Sequence, residues 1–389
     1  MIADVPLGAF LSGGVDSAAV VAAMAEASPE PVKTFSIGFH DPTLDERELA
    51  RATASHFETE HHEIVVEPNA IEIIPDIIRH YGEPFADATA IPTFYLAQMA
   101  RRHVTVALNG DGGDETFAGY RRYVAALTAG RLDRAPRTAR RALAGLSRRL
   151  PAGGRIDSSL NRVRRLGTTL AMDPHDRYLA YMTELQGLHR GEIYTDAFHE
   201  ALGESRVAGF TREPWMRSSA GDPLDFMLDV DSATYLPDDL LVKVDIATMA
   251  HSLEGRSPLL DHEFMQFAAT LPRHLKIDGR ETKAGLRRAL RGWVPDEVLD
   301  APKRGFQPPL ARWFRGDLKQ FAREVLLDPL TERRGIVDSA AVRRLLDRHE
   351  SRQADNSQGI WTLLILELWH REHVDSVASV AAPLRPDRV

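Results

Sequence analysis

A chain of 389 residues with 43% hydrophobic content is long enough for one large domain or two modest ones and can bury a sizeable core. Its 48 Lys and Arg stand against 56 Asp and Glu, a net charge of -8, so the field of the whole molecule favours neither nucleic acid nor an anionic membrane. The absence of cysteine excludes disulfides, thiolate-bound zinc or iron–sulfur clusters, and every mechanism that needs a thiolate nucleophile.

Met1 to Pro6 carries no basic segment followed by an apolar one, and no uninterrupted apolar run approaches the roughly 20 residues of a membrane span, so a cytoplasmic location is expected. From Gly8 to about Leu108, short β-rich runs alternate with amphipathic stretches. Strands are predicted at Gly8–Leu11, Lys33–Phe39, Glu63–Val66 and Val104–Leu108. Helices are predicted at Ser17–Ala27, Leu44–Phe57, a Pro75-interrupted stretch at Ile71–Tyr81, and Ile91–Arg102. This alternation predicts an α/β fold, a parallel sheet with flanking helices whose strand-to-helix loops share one edge. After Tyr120 the β-branched runs fade and a mainly helical region follows, with a candidate linker at Leu150–Asp157. The expected division is an α/β core over 1–125, a helical insertion over 126–221, a helical remainder over 222–380 and a disordered tail over 381–389. The Arg-rich stretch from Arg131 to Arg165 reads as a solvated amphipathic face rather than an RNA-binding one. Leu132, Ala135, Ala139, Leu143, Leu146 and Leu150 approximate a helical stripe there.

The first predicted strand runs straight into Ser12-Gly13-Gly14-Val15-Asp16-Ser17, and a helix follows. Strand, tight loop and helix make an anion cradle. Gly13 and Gly14 let backbone approach a phosphate, Ser12 and Ser17 add hydroxyls, and the helix N-terminus contributes free N–H groups. Asp16 would repel a polyphosphate unless a divalent cation lay between them, which points to magnesium and hence to Mg-ATP. The spacing is neither that of a Walker loop nor of a dinucleotide fold. A second strand, Val104–Leu108, ends in Asn109-Gly110-Asp111-Gly112-Gly113-Asp114-Glu115. Two such loops would face one crevice, where Asp111, Asp114 and Glu115 supply hard oxygen ligands or a base. His61-His62-Glu63 looks metal-like, but neighbours on a strand point to opposite faces, so it reads as structural.

The hexapeptide resembles the pyrophosphate loop of the ATP-pyrophosphatase superfamily. The second loop, continued by Phe117-Ala118-Gly119-Tyr120, is similar to that of the asparagine synthetase family. Val242 to Asp245, Ser252 to Asp261, Glu281 to Lys283 and Pro302 to Phe306 match the same family, so the resemblance spans most of the chain. It implies an adenine-nucleotide α-hydrolase-like fold and the synthetase half of a glutamine-hydrolysing enzyme, without the N-terminal glutaminase domain. It further implies that Ser12, Gly13, Gly14, Asp16 and Ser17 hold pyrophosphate, and that Leu11 and Ile37 line an adenosine pocket with Asn109 and Gly110 near the nucleotide. Asp16 and Asp114 would bind magnesium, Asp111 takes the catalytic-carboxylate position, and Lys283 faces the charge developing at the α-phosphorus. Asn109 stands where the family usually has serine.

The activity so implied is ATP-dependent adenylation of the aspartate side-chain carboxylate, with ammonia displacing AMP to give asparagine. Without cysteine the chain cannot hydrolyse glutamine by that family's thiol route, so it uses free ammonia, is served by a separate glutaminase domain or subunit, or is a piece of a longer protein. The start of the phosphate loop only twelve residues in, with almost nothing to brace its strand, suits the last of these. The alternatives are the same adenylation with another carboxylate and amine, as in β-lactam synthetases or lasso-peptide cyclases, a tRNA-modifying relative, and a non-catalytic nucleotide-binding subunit. Expected partners are small molecules, with a homodimer open, and neither nucleic acid nor membrane.

Overall fold

The computed structural model describes residues 1–39, 45–66, 70–149, 159–182, 190–202, 206–302 and 308–376. Leu44, the Leu150–Asp157 linker, Lys303 to Phe306 and the 381–389 tail therefore lie outside the described residues. In chain order the elements are β1 (Leu7–Phe10), α1 (Val15–Ala27), β2 (Lys33–Gly38), α2 (Arg47–His56), β3 (Glu60–Val65), α3 (Ala70–Tyr81), α4 (Ala90–Ala100) and β4 (Val106–Leu108). There follow α5 (Gly113–Phe117), α6 (Arg121–Leu132), α7 (Arg137–Arg148), α8 (Ser159–Thr169) and α9 (Pro174–Met182), and then shorter helices around β5 (Glu254–Arg256) and the β6–β7 hairpin (Ile277–Asp278, Glu281–Thr282). The chain divides into two compact units, one of residues 1–67, 92–182 and 205–308, the other of residues 68–91, 183–204 and 309–389.

The first unit holds a five-stranded sheet in the order β3-β2-β1-β4-β5, parallel at every pairing. Along β1 and the residue after it, Ala9 and Leu11 join Val20, Val21 and Met24 of α1 in one core, while Phe10 joins Phe35, Ala97 and Ala100 in another. Alternation across the pleat thus buries both sheet faces under helices, as a parallel sheet requires. The expected α/β fold with a helical remainder is what forms. β1 is braced on both sides, by β2 on one and β4 on the other.

Sequence periodicity placed four strands here, but there are five. β5 is Glu254-Gly255-Arg256, with no β-branched residue, and it becomes a strand by pairing Val106↔Glu254 and Leu108↔Arg256 at the sheet edge. β3 likewise begins at Glu60 rather than Glu63, because Lys33↔Glu60 and Phe35↔His62 pair along β2. The Arg-rich stretch is not one helix. Pro136 ends the run from α6 and leads into α7, and Leu132, Leu143 and Leu146 are 40%, 48% and 62% exposed rather than aligned on a buried stripe. What α7 packs is Ala144, with Ser147 so close to Gly167 of α8 that a Cβ there would lie 1.9 Å from its Oγ.

In the second unit α3 runs unbroken through Pro75, with Ile74, Ile77 and Ile78 buried along one face. Trp361, Leu364 and Ile365 of helix Ser357–Trp369 are also buried, and Glu367 of that helix takes paired charges from Arg334 and Arg371. Among the described residues no helix is long and apolar enough to cross a membrane.

Candidate active site

β1 and β4 are neighbours, with Leu7↔Val106 and Ala9↔Leu108 in register, and they are left by chains that head to opposite sides of the sheet. Their carboxyl ends therefore form the crevice where open α/β sheets place ligands. The two loops approach each other closely at glycines. A Cβ on Gly110 would lie 2.7 Å from the Ser17 backbone nitrogen, and one on Gly113 would lie 2.5 Å from the Asp16 carboxylate. Gly112 starts α5 at φ 86°, a left-handed conformation that costs glycine little.

Within the first loop the hydroxyls hold the turn. The Ser12 and Ser17 Oγ atoms are 2.9 Å apart, the Gly14 N–H donates to Ser12 Oγ at 3.1 Å, and Ser17 Oγ donates to the Gly14 carbonyl at 3.1 Å. α1 opens at Gly14 with no side-chain cap, so its first N–H groups keep the free, partly positive character of a helix N-terminus. Asp16 sits in that first turn.

Lys283 reaches this point from far along the chain. The helix Ala284–Leu290 begins directly after it, and Leu290, Val294, Val298 and Leu299 pack on Val15, Ala18, Ala19 and Ala22 of α1. Lys283 itself has φ 55°, ψ 31°, an uncommon conformation for a residue with a side chain, and it is 4% exposed. Its Nζ donates to Asp16 Oδ2 and stands 2.6 Å from Asp114 Oδ1. Burial pulls the ammonium toward the neutral form, but the charges of Asp114 and Asp16 outweigh it and hold the Lys283 pKa above its ordinary value.

Asp111 shares the crevice. Burial pushes its carboxyl up to about 6; Lys243 opposes that shift, and the negative charges of Asp16 and Asp114 add to it. Asp111 Oδ2 and Asp16 Oδ1 are buried without a hydrogen-bond partner among the described residues. Carboxylate oxygens without hydrogen-bond partners, gathered around the Lys283 ammonium, are the donor set a hard divalent cation takes, so the residues present fit magnesium.

Behind the loop stands a layer of buried charges and aromatic rings. Glu115 is buried and accepts a 2.6 Å hydrogen bond from Tyr120 Oη. The Arg122 guanidinium lies 3.8 Å above the Tyr120 ring and 4.7 Å from that of Tyr235, and pairs at 2.6 Å with Asp231, which is fully buried. Burial, reinforced by Asp114, pushes the Glu115 carboxyl up to about 7, against the hydrogen bond from Tyr120 and the charge of Arg122. The folded chain therefore holds a proton that the unfolded chain releases near the ordinary value of 4.5. Its contribution to stability is complete below that value and is lost as pH rises to about 7. Denaturant unfolding at a series of pH values is expected to show a loss of roughly 3 kcal/mol from this group across that window. Glu115→Gln is expected to flatten that slope; an unchanged slope would contradict the assignment.

Of the residues singled out in the sequence, Ser12, Gly13, Gly14, Asp16, Ser17, Gly110, Asp111, Asp114 and Lys283 converge on the crevice. Asn109 is nearly buried, its Oδ1 accepting from the Asp111 N–H at 3.1 Å and from Ser257 Oγ at 2.7 Å, so it ties the loop to the residue after β5. Leu11 and Ile37 follow or close adjacent strands with buried side chains, and the Leu11 backbone is held by Phe35 and Ser36. Lys243, whose charge bears on Asp111, lies in the Val242 to Asp245 segment, where a lysine on a helix carries no signal of its own. Glu254 is an exposed partner of Arg256.

The sequence model described as asparagine synthase matches residues 1–371. The chain is 36% identical over 390 residues to a Mycobacterium tuberculosis protein whose name includes the words asparagine synthetase, glutamine-hydrolyzing, covering 99% of this chain and 58% of that one. It is 34% identical over 376 residues to asparagine synthetase (glutamine-hydrolyzing) 1 of Bacillus subtilis, covering 96% and 57%, and 24% identical over 384 residues to amidase chyE of Penicillium rubens, covering 90% and 56%. The chain thus spans a little under three fifths of the length of these curated relatives. With a match over nearly its whole length and a phosphate loop, acidic loop and lysine in one crevice, the chain belongs to the asparagine synthase family.

Proposed function

We propose that this chain is an ATP-dependent amide-forming ligase. In this reading it joins the side-chain carboxylate of aspartate to the α-phosphorus of ATP, releasing pyrophosphate, and ammonia then displaces AMP to give asparagine. The observation that supports it above all is the meeting of Asp16, Asp114 and Lys283 at the ends of β1 and β4. A phosphate loop alone would serve many reactions, whereas two carboxylates sharing one buried ammonium suit a site where charge builds on a polyphosphate.

Ser12, Gly13, Gly14 and Ser17 would cradle the pyrophosphate, and Gly110 and Asn109 the nucleotide side of the crevice, with Leu11 and Ile37 as its apolar wall. Asp16 and Asp114 would hold magnesium, which when bound supplies positive charge against the phosphate oxygens. Lys283 neutralises charge as the α-phosphorus becomes five-coordinate. Asp111, with its pKa near the working range, accepts the proton that the attacking amine loses. The chain has no cysteine, so in this reading ammonia arrives free or from a separate glutaminase domain or subunit. A cytoplasmic setting supplies the substrates.

The test is to mix the chain with Mg-ATP, aspartate and ammonium and to measure pyrophosphate and asparagine together. Both are expected in equal amounts. No pyrophosphate with any amino-acid carboxylate would sink the ligase reading, and pyrophosphate without asparagine would redirect it to another acyl acceptor.

A further inference from the structure

At the amino-terminal edge of the sheet, away from the phosphate loops, a second group of ligand atoms comes together. Glu60 and His62 are two apart on β3, so their side chains leave the same face of an edge strand. Backbone pairing puts His62 beside Phe35, and the turn after α4 brings in His103. The His62 and His103 rings stack at 3.9 Å between centroids, 29° apart, and both lie near the Phe35 ring, at 5.4 Å and 5.7 Å. His62 Nε2 is 2.9 Å from Glu60 Oε1, and one ligand atom from each of Glu60, His62 and His103 lies within 4.8 Å of the others.

We propose that Glu60, His62 and His103 form a site for a borderline divalent cation of the zinc class, with water completing its coordination. Two imidazole nitrogens and one carboxylate oxygen are a zinc donor set. Ligands about 2.0–2.2 Å from such an ion sit roughly 3.3–3.6 Å apart in a tetrahedron, and because each imidazole binds in its own ring plane, ion uptake requires the His62 and His103 rings to open from their stack. Burial, with the charges of His62, Lys33 and Arg102, lowers the His103 pKa from its ordinary value, a direction that favours the neutral imidazole a metal ligand needs. The same Lys33 and Arg102 charges oppose a cation, and Glu60 offsets them. Imidazole ligation separates this site from the all-oxygen magnesium carboxylates and makes copper and nickel its competitors. Neighbouring His61 takes no part, because it faces the other side of β3 and bonds Thr34 Oγ1 at 2.8 Å. A bound ion would tie the edge strand β3 to the turn that leads into β4.

The experiment is a zinc titration of the full chain against a chromophoric chelator, in excess magnesium so that the crevice carboxylates do not compete. Wild type is expected to take up one equivalent ahead of any weaker binding, and to melt at a higher temperature when it does. In His103→Ala and Glu60→Gln that equivalent is expected to weaken by at least about tenfold, since even outer-shell losses cost that much. Melting without zinc serves as the folding control. Glu60 is about half exposed, so its variant remains decisive if His103→Ala does not fold. Absence of the tight equivalent in wild type, or its persistence in Glu60→Gln, overturns the proposal.

Discussion

Replacing Asp16 by asparagine is expected to lower pyrophosphate release by about a thousandfold or more, with little change in melting temperature. Asp16 lies in the first turn of α1 and presents one buried carboxylate oxygen with no hydrogen-bond partner among the described residues. Asparagine keeps the shape but removes the negative charge and turns one acceptor into a donor, so magnesium and polyphosphate lose their shared anchor. Losing one preorganised electrostatic contact at a reacting centre costs about 10²–10³ in rate, and losing a metal ligand adds to that. The fold survives because Lys283 retains Asp114 as its counter-charge at 2.6 Å. Pyrophosphate assays across a magnesium series, alongside thermal melts, check both halves of the expectation. Near-normal release would refute the role given to Asp16.

Lys283→Met is expected to abolish pyrophosphate release and also to destabilise the metal-free chain, by about 3–5 kcal/mol, because removing one partner of a buried ion pair strands the other. Here two carboxylates, each with a side chain 17% exposed, would be stranded facing one another. Methionine fills much of the space of the lysine stem, so the loss is one of charge rather than of packing. Two consequences set this apart from ordinary core damage. Magnesium is expected to restore part of the stability but none of the activity. Asp16→Asn in the Lys283→Met background is expected to stabilise, a non-additive result by double-mutant cycle. Denaturant unfolding of the four variants with and without magnesium provides the measurement, and simple additivity would count against the shared-ammonium arrangement.

The different stability effects expected for Asp16→Asn in the two backgrounds, near zero with Lys283 present and stabilising without it, follow from one physical fact. The crevice is balanced by Lys283 in this structure, and its carboxylates are costly to bury once that cation is removed. The left-handed backbone at Lys283 fits the same picture. Packing of residues 290–299 on α1 fixes where the helix Ala284–Leu290 begins, and the residue ahead of it takes the conformation that aims its side chain into the crevice.

Much of the candidate site was legible in the chain because its parts are local. A loop of Ser-Gly-Gly-Val-Asp-Ser between strand and helix has the form of an anion cradle with an acid suited to a metal, and Asn109 to Glu115 repeats the theme after another strand. Strands β1, β2 and β4 and helices α1, α2 and α4 follow from local apolar runs and periodicity, with ends shifted by a few residues. β5 was not legible, since Glu-Gly-Arg has no strand character until the β4 backbone offers it hydrogen bonds. The Arg-rich stretch misled in the opposite direction. Spacing of its leucines suggested one helical stripe, and Pro136 with the tight α7–α8 approach at Gly167 decided otherwise.

The sequence by itself determined the chemistry on offer: a glycine-bounded phosphate loop, paired acids, no thiol, and an α/β frame to carry them. Only the tertiary structure decided which charges face one another. It brings Lys283 to Asp16 and Asp114, sets Lys243 against Asp111, buries Glu115 under Tyr120 and Arg122, and gathers Glu60, His62 and His103 at the far edge of the sheet. The reason is physical. Strand and loop propensities act over a few residues and are written locally, whereas burial and Coulomb interaction depend on distance through space, which the chain sets only when the sheet closes its order around β1.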